Sequence, residues 1–159
     1  MVLSINPFPK DADRGAIWDM LVARDIKAFV KADWNLVAED FVVANFIGIQ
    51  ANKSANADHW KVGFPNLETY KLEWLRQAKD SSSIDYAEDL EAAIHAATHL
   101  EQIDFDGDTA MAHKKFDGKI KRKSGEPDIL NWQTLYFCRK EQGQWKIAGF
   151  VGYMAYRSG

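Results

Sequence analysis

The stretch from Asp13 to Asp33 limits most strongly how this chain can fold. Its apolar residues recur at steps of three and four, which is the period of a half-buried helix. They are Ile17, Trp18, Leu21, Val22, Ile26, Phe29 and Ala32. Asp25 falls close to the centre of this stripe, where a carboxylate is costly to bury without a partner. The pattern therefore predicts a long helix whose Asp25 is paired, protonated or turned toward a wet cavity.

Length, charge and cysteine content narrow the class of protein. The 159 residues suit one domain, long enough to bury about two-thirds of its unfolded surface. The net charge is −3, and acidic and basic residues are interspersed along the chain, which argues against a nucleic-acid or membrane partner. A single cysteine, Cys138, excludes an internal disulfide, and no stretch resembles a signal or membrane segment. We expect a soluble, cytoplasmic domain over residues 1–159, with an extended lead-in over 1–12.

Four segments are predicted between the first helix and residue 80. They are a short helix over 34–41, a buried strand over 41–49, a loop over 50–66 and a helix over 67–80. Asn66 is expected to cap the last of these, as Asp11 or Asp13 caps the first helix, because a side-chain oxygen there accepts an unpaired backbone N–H. Residues 84–93 are ambiguous and allow one more helical turn.

From Ile94 onward the pattern changes to a period of two, typical of strands. Asp106-Gly107 is a type I′ hairpin signal, and a loop of these two residues pairs Phe105 with Asp108. One face of the hairpin then carries His95, Ala97, His99, Glu101, Ile103, Phe105, Ala110, Ala112, Lys114 and Phe116. This is the more apolar face, so we expect the helix to cover it. His99, Glu101 and Lys114 would lie in its middle.

A second hairpin is predicted around Gln142-Gly143, and both of its faces are apolar. One face carries Trp132, Tyr136, Cys138, Trp145, Ile147, Val151 and Tyr153, and the other Leu135, Phe137, Ala148 and Phe150. A sheet that is apolar on both sides must be covered on both sides. Because few helices are available, the second cover is expected to be another copy of the chain. The sequence therefore predicts a homodimer.

Helices followed by an antiparallel meander form an α+β order, and this order resembles the nuclear transport factor 2-like superfamily. Within it the chain is most similar to the polyketide-cyclase-like (SnoaL-like) branch. The resemblance rests on a first helix closing at Asp33-Trp34, the Asp106-Gly107-Asp108 hairpin and the terminal GQWKI hairpin, 143–147. It covers about residues 14–153. It implies a cone-shaped (cystatin-like) fold, in which a curved antiparallel sheet wraps around the long helix and encloses an apolar pocket. It also implies a tendency to dimerise.

The resemblance does not imply one reaction, because the superfamily hosts isomerases, dehydratases, hydrolases, cyclases and proteins without catalysis. Ketosteroid isomerases carry an Asp base on the first strand, whereas residues 46–50 (FIGIQ) contain no carboxylate. Their oxyanion-holding Tyr on the first helix corresponds to Asp25 here. Dehydratases of the fold use a His pair and Tyr hydroxyls, a role that His99, Tyr136 and Tyr153 could fill.

Three residues are candidates for catalysis: Asp25, His99 and Lys114. Asp25 could act as a general acid or base, or it could form a structural ion pair with Lys114 or a hydrogen bond to His99 or Tyr136. His99 with Glu101 could be an oriented imidazole and its carboxylate, or the polar end of a solvated strand. His95 and His99 lie about 13 Å apart on a strand, so they are not expected to chelate one metal ion.

An aromatic pocket for a flat, apolar or aromatic small molecule is the predicted binding site. Its candidate lining is Trp18, Trp34, Trp60, Tyr70, Trp74, Trp132, Tyr136 and Tyr153, with Glu101. Aromatic residues at such spacing also build cores, so only some of these are expected to touch a ligand. No phosphate-cradling glycine loop is present, so no organic cofactor is implied.

Two functions follow from these residues. The first is a cofactor-independent isomerase, dehydratase or hydrolase, in which Asp25 moves protons and His99, Lys114, Tyr136 or Tyr153 stabilises developing charge. The second is a non-catalytic ligand-binding or dimerisation module, in which Asp25 and Lys114 only neutralise one another.

Overall fold

The computed structural model describes residues 2–156, in which helices pack on one face of a six-stranded sheet. The strands are β1 (Ile47–Gln50), β2 (Lys61–Phe64), β3 (Thr98–Asp106), β4 (Thr109–Ile120), β5 (Asp128–Glu141) and β6 (Gln144–Met154). Their order is β2-β1-β6-β5-β4-β3. The β1–β6 pair is parallel and every other pair is antiparallel. We call the face under the helices the inner face and the opposite one the outer face.

The first helix runs from Ala12 to Lys31, as the apolar period predicts, but it is not regular. It consists of α1 (Ala12–Trp18), a π-helical segment (Asp19–Arg24) and α2 (Asp25–Lys31). Of the two candidate caps, Asp11 is the one used, and its side chain accepts the backbone N–H of Arg14. The helix ends at Ala32, whose φ of 50° is left-handed.

Two further helices close the inner face: α3 (Leu67–Ser82) and α4 (Leu90–Ala97). Asn66 and Thr69 form a capping box at the start of α3, so the predicted cap is confirmed. The two-residue period predicted from Ile94 is wrong as far as Ala97, because Asp89 caps a helix there and the strand begins only at Thr98.

The predicted strand over 41–49 is wrong in its first part. Phe41 forms only an isolated bridge with Ile147, and β1 begins at Ile47. Asn45, with a φ of 62°, lies in a turn that interrupts the apolar run. An apolar run alone does not specify a continuous strand.

Two other segments also differ from their predictions. The short helix predicted over 34–41 is a pair of 3₁₀ turns, Trp34–Leu36 and Ala38–Asp40. The loop predicted over 50–66 contains the edge strand β2 and a further 3₁₀ turn. The strand was missed because Gly63 and the following Pro65 are more typical of a loop.

The β3–β4 hairpin has a different register from the one predicted. Its loop is Gly107-Asp108, so that Phe105 pairs with Ala110 rather than Asp108. This shift of two residues keeps Ala110 and Lys114 on the inner face, as predicted. A bulge between Leu100 and Gln102 exchanges the faces of the strand before it.

The bulge removes two predicted residues from the inner face. Leu100 turns inward and is buried, while His99 and Glu101 are exposed. The placement of His99 and Glu101 on the inner face is therefore wrong. Simple alternation fails here because one extra residue in a strand reverses the direction of every side chain beyond it.

The β5–β6 hairpin turns at Gln142-Gly143, as predicted, with both residues at positive φ. Its strands also carry a bulge, between Phe137 and Cys138. As a result Phe150 is buried on the inner face, while Val151 pairs with Leu135 on the outer face. The sequence analysis placed Phe150 on the face of Leu135 and Val151 on the face of Tyr136, which is the reverse of the observed arrangement.

Candidate active site

A cavity of about 340 Å³ lies between the helices and the inner face of the sheet. Ligand-binding pockets are commonly of this size or larger. From the first helix it is lined by Asp25, Ile26 and Phe29, and from α3 by Tyr70, Trp74, Arg76, Gln77 and Asp80. From the sheet it is lined by Lys114, Phe116, Ile120, Asp128, Ile129, Leu130, Trp132, Thr134, Tyr136, Phe150, Gly152 and Tyr153, and from the α3–α4 region by Ser81, Tyr86, Leu90 and Ile94.

Asp25 is a carboxylate of this cavity that is held on both oxygens, as Asp128 is by Tyr86 and Arg122. Lys114 Nζ lies 3.2 Å from one oxygen, Oδ2. The indole Nε1 of Trp74 donates to the other oxygen, Oδ1, at 3.3 Å. The Asp25 side chain is 29% exposed, so it remains accessible from the cavity. It can therefore exchange a proton with a molecule bound there.

Lys114 is buried behind that carboxylate, with 1% of its side chain exposed. Its ammonium also donates to the backbone carbonyl of Leu21. The ring centroids of Phe116 and Tyr136 lie 5.1 and 5.9 Å from Nζ, within cation–π range. A buried ammonium requires such partners, because burying a charge without them is costly.

Three tyrosines of the cavity remain protonated over a wide pH range. Burial, with the neighbouring Tyr136 hydroxyl and the Asp25 carboxylate, raises the pKa of Tyr70 well above its ordinary value. Burial and Asp25 raise the pKa of Tyr136 well above its ordinary value too. Burial also raises the pKa of Tyr153, whose hydroxyl exchanges hydrogen bonds with Gln77 at 2.9 and 3.1 Å. These phenols can donate hydrogen bonds near a carboxylate that can accept a proton.

Stacked aromatic rings form one wall of the cavity. Phe116 and Trp132 have ring centroids 4.7 Å apart, and Trp132 and Tyr153 are stacked at 5.5 Å. On the opposite side Phe29 meets Trp74 edge-to-face at 5.7 Å. A flat ring can meet the edges of such stacked rings edge-to-face, an arrangement that aromatic pairs favour.

The cavity brings together seven of the predicted site residues. These are Asp25, Lys114, Tyr70, Trp74, Trp132, Tyr136 and Tyr153. It does not include His99 and Glu101, which the bulge turns to solvent. Trp18 and Trp34 are core residues, 5% and 7% exposed, and Trp34 packs behind the cavity against Trp74. Trp60 lies in the loop before β2, where its indole donates to the carbonyl of Ser54.

Several lining residues were missed by the sequence analysis. Gln77 lies three residues after Trp74 and seven after Tyr70, on the same face of α3, so helical spacing could have identified it. Thr134 lies two residues before Tyr136 and shares its strand face. The sequence pattern did not indicate that Ile94 lines the cavity, because Ile94 was predicted in a strand and lies in helix α4.

Among residues 2–156, no group of three His, Cys, Asp or Glu side chains is arranged to hold a metal ion. In the same part of the chain, no helix has both the length and the apolar composition needed to cross a membrane.

Solved structures similar to this one identify the fold. The chain matches no family model, and it matches no curated protein in sequence. It is similar to a "Putative Scytalone Dehydratase" from Novosphingobium aromaticivorans, at 18% identity and a TM-score of 0.60 over 89% of this chain and 83% of the other. It is also similar to an NTF2-like protein of unknown function from Pseudomonas putida, at 14% identity and 0.58 over 95% and 88%.

A domain from Nostoc punctiforme with a cystatin-like fold is similar over 94% of this chain and 80% of its own, at 15% identity and a TM-score of 0.56. The chain thus has the nuclear transport factor 2-like, or cystatin-like, α+β fold, and this prediction is confirmed. Likeness at such identities establishes the fold. Membership of the SnoaL-like branch remains a prediction.

Proposed function

We propose that the chain is a small-molecule enzyme of isomerase, dehydratase or hydrolase type, with Asp25 as its general acid–base. The observation that carries the proposal is the setting of Asp25. Its carboxylate is held by Lys114 at 3.2 Å and Trp74 at 3.3 Å, inside a cavity walled largely by aromatic rings. Ionisable groups in such settings concentrate at functional sites.

The cavity supplies the two parts that proton transfer at carbon requires. Asp25 accepts a proton from the substrate, and negative charge develops on a substrate oxygen. The neutral hydroxyls of Tyr70 and Tyr136 are the candidate donors to that oxygen, because fixed donors stabilise charge as it forms, whereas the Tyr153 hydroxyl already donates to Gln77. Returning the proton to another carbon gives isomerisation, whereas loss of a neighbouring hydroxyl gives dehydration.

The substrate class follows from the walls. Trp132 lies between the rings of Phe116 and Tyr153, which favours a flat apolar or aromatic molecule with an oxygen substituent. One structural neighbour, the Novosphingobium protein, carries the name of a dehydratase, which is a reaction of this class. Lys114 lies behind the Asp25 carboxylate, and His99 lies outside the cavity, so Asp25 and the phenols carry the chemistry.

The experiment uses nitrobenzisoxazole, a flat heteroaromatic whose ring opens when a base removes its carbon-bound proton. The N–O bond breaks in the same step, and a coloured cyanophenolate forms. We expect the wild-type protein to accelerate this reaction and Asp25→Asn to lower kcat/KM by about 10² or more. Asp104→Asn, which changes an exposed carboxylate on β3, is the matched control and should keep the wild-type rate.

The alternative, a non-catalytic ligand-binding module, is favoured by one observation. Lys114 has 1% of its side chain exposed, so its pairing with Asp25 could serve stability alone. In that case the wild-type protein does not accelerate the ring opening, and Asp25→Asn lowers the melting temperature because a buried ammonium loses its partner. Because Lys114 is buried in either case, a lower melting temperature is expected for both functions, and the rate of ring opening distinguishes them.

We also propose that the outer face joins two copies of the chain. Met111 pairs with Phe137, Phe137 with Gly149, and Gly149 with Ile47, so that these residues form one row across four strands. In this row Phe137 is 43% exposed and Met111 36%. A contiguous exposed apolar patch of this kind is typical of an interface.

The next row of the outer face extends the same patch. It contains Leu135, Val151 and Ile49, which are paired across β5, β6 and β1 and are half-buried. Two adjacent rows give a self-complementary surface for a two-fold dimer.

A reducing compartment such as the cytoplasm suits this protein. Cys138 is buried, and burial raises the pKa of its thiol to about 12. The thiolate is the reactive form, so Cys138 is expected to remain a thiol of the core. We propose a cytoplasmic location, because a chain with a single cysteine and no internal disulfide suits a reducing compartment.

A further inference from the structure

The first helix changes its hydrogen-bonding pattern immediately before Asp25. The π-helical segment covers Asp19–Arg24, and α2 starts at Asp25 itself. In a π-helix each N–H bonds to the carbonyl five residues back, and such segments are rare and frequently lie at functional sites. Three consecutive residues of this segment, Met20, Leu21 and Val22, are buried.

The change leaves a carbonyl available to the sheet. The N–H of Asp25 donates to the carbonyl of Val22, three residues back. In a regular α-helix it would donate to Leu21, four residues back. The carbonyl of Leu21 instead accepts a hydrogen bond from Nζ of Lys114 on β4. Irregular helical backbone thus supplies an acceptor that a regular helix would use internally.

This carbonyl fixes the position of the ammonium. Lysine has three N–H donors, and here Leu21 O and Asp25 Oδ2 accept two of them. Since the Lys114 side chain is 1% exposed, water cannot substitute for these partners. The backbone anchor therefore holds the ammonium beside one oxygen of Asp25, while the indole of Trp74 holds the other.

We infer that the π-helical segment presents the Leu21 carbonyl as an anchor for Lys114, and that Lys114 so anchored is a positioning residue for the Asp25 carboxylate. The inference rests on the proposed function in one respect, since the carboxylate it positions is the proposed acid–base. It assigns Lys114 a role through Asp25, not a direct one on the substrate. Other titratable groups facing Asp25 are the phenols of Tyr70 on α3, Tyr136 on β5 and Tyr153 on β6.

The first test measures the anchor without any substrate. Carbon NMR of the full chain compares wild type, Lys114→Met and Lys115→Met. We expect the Leu21 carbonyl signal to move upfield in Lys114→Met, because a hydrogen bond from an ammonium is lost, and by more than the Val22 signal moves. Lys115→Met, a change of the adjacent lysine, should leave both signals in place. An unchanged Leu21 signal in folded Lys114→Met overturns the anchor.

The second test measures the positioning. We expect Lys114→Met to lower kcat for nitrobenzisoxazole about tenfold or more with little change in KM, because the carboxylate that removes the proton is no longer held in place. A wild-type kcat in folded Lys114→Met overturns the positioning role, because a purely structural residue would lower stability without changing turnover.

A failure of the proposed function gives a different result. If the wild-type protein does not open the ring, the carboxyl carbon signal of Asp25 is recorded by NMR in wild type, Lys114→Met and Lys115→Met. A signal that moves in Lys114→Met alone supports the positioning of Asp25, although the enzyme proposal has failed. Equal signals in all three proteins overturn it.

Discussion

The two faces of strand β4 place adjacent lysines in opposite environments. Lys114 points to the inner face, where 1% of its side chain is exposed and Asp25 and a backbone carbonyl hold it. Lys115 points to the outer face and remains partly exposed. The same residue type is thus part of a site on one face and of the general surface on the other. Chemistry in this fold is decided by the direction of a side chain as much as by its identity.

The largest expected difference between the two faces is one of stability. Lys114→Met should lower the free energy of unfolding by about 3 kcal/mol, since it leaves the buried carbonyl of Leu21 without its donor and Asp25 without its charge partner. Lys115→Met should change it by less than about 0.5 kcal/mol. Urea denaturation of both variants measures this. Equal losses would show that the inner face has no special role for its lysine.

A substitution on the outer face should affect dimer assembly more than the free energy of unfolding. Phe137→Asp places a charge in the middle of the apolar row, so we expect the dimer to dissociate, at a cost of about 2 kcal/mol or more for a central interface residue. Light scattering during size exclusion measures the mass. Leu72→Asp, at an exposed apolar residue of α3, is the control and should remain dimeric. A wild-type monomer, or a dimeric Phe137→Asp, contradicts the proposed interface.

Ligand binding should separate the cavity wall from the tryptophan outside it. Trp132→Ala is expected to weaken the binding of naphthol about tenfold, which corresponds to 1.4 kcal/mol, because the flat ring loses an edge-to-face contact with the aromatic wall. Trp60→Ala, at the predicted residue that lies in the loop before β2, should bind as wild type does. Titration calorimetry measures both affinities. A larger loss in Trp60→Ala would place the ligand elsewhere.

The smallest expected effect concerns a buried histidine. Burial lowers the pKa of His95, whose Nδ1 lies 2.6 Å from the hydroxyl of Ser4. The unfolded chain therefore takes up a proton more readily than the folded one, so stability should fall as the pH drops below about 6.5.

Unfolding free energies between pH 7.5 and about 5 test this in wild type and His95→Gln. The variant should show a smaller loss on acidification. His113→Gln changes a histidine on β4 that is hydrogen-bonded to Gln133. This variant should retain the wild-type dependence of stability on pH. A wild-type slope in His95→Gln would assign the acid sensitivity to other groups.

Much of the fold could be predicted from local pattern. Asn66 and the Gln142-Gly143 turn were predicted correctly, because caps and two-residue turns depend on a few adjacent residues. The inner-face direction of Lys114 was also correct, since a register error of two residues preserves the face.

The errors share a physical cause. The bulge after Leu100 turned His99 away from the inner face, and the bulge beside Cys138 exchanged Phe150 and Val151. Bulges are set by how neighbouring strands bend over the helices, which a local pattern does not record. Strand β2 was missed for a related reason, because its pairing with β1 outweighs the turn-forming character of its own residues.

The sequence by itself determined that a helix would carry Asp25 on its apolar side, and that an apolar sheet would follow. Those features depend on residue spacing along one chain segment. Only the tertiary structure decided that Asp25 meets Lys114 and Trp74, and that a π-helical segment opens the carbonyl of Leu21 to that lysine. These contacts join residues 49 to 93 positions apart, so they exist only once packing has set the distances between helix and sheet.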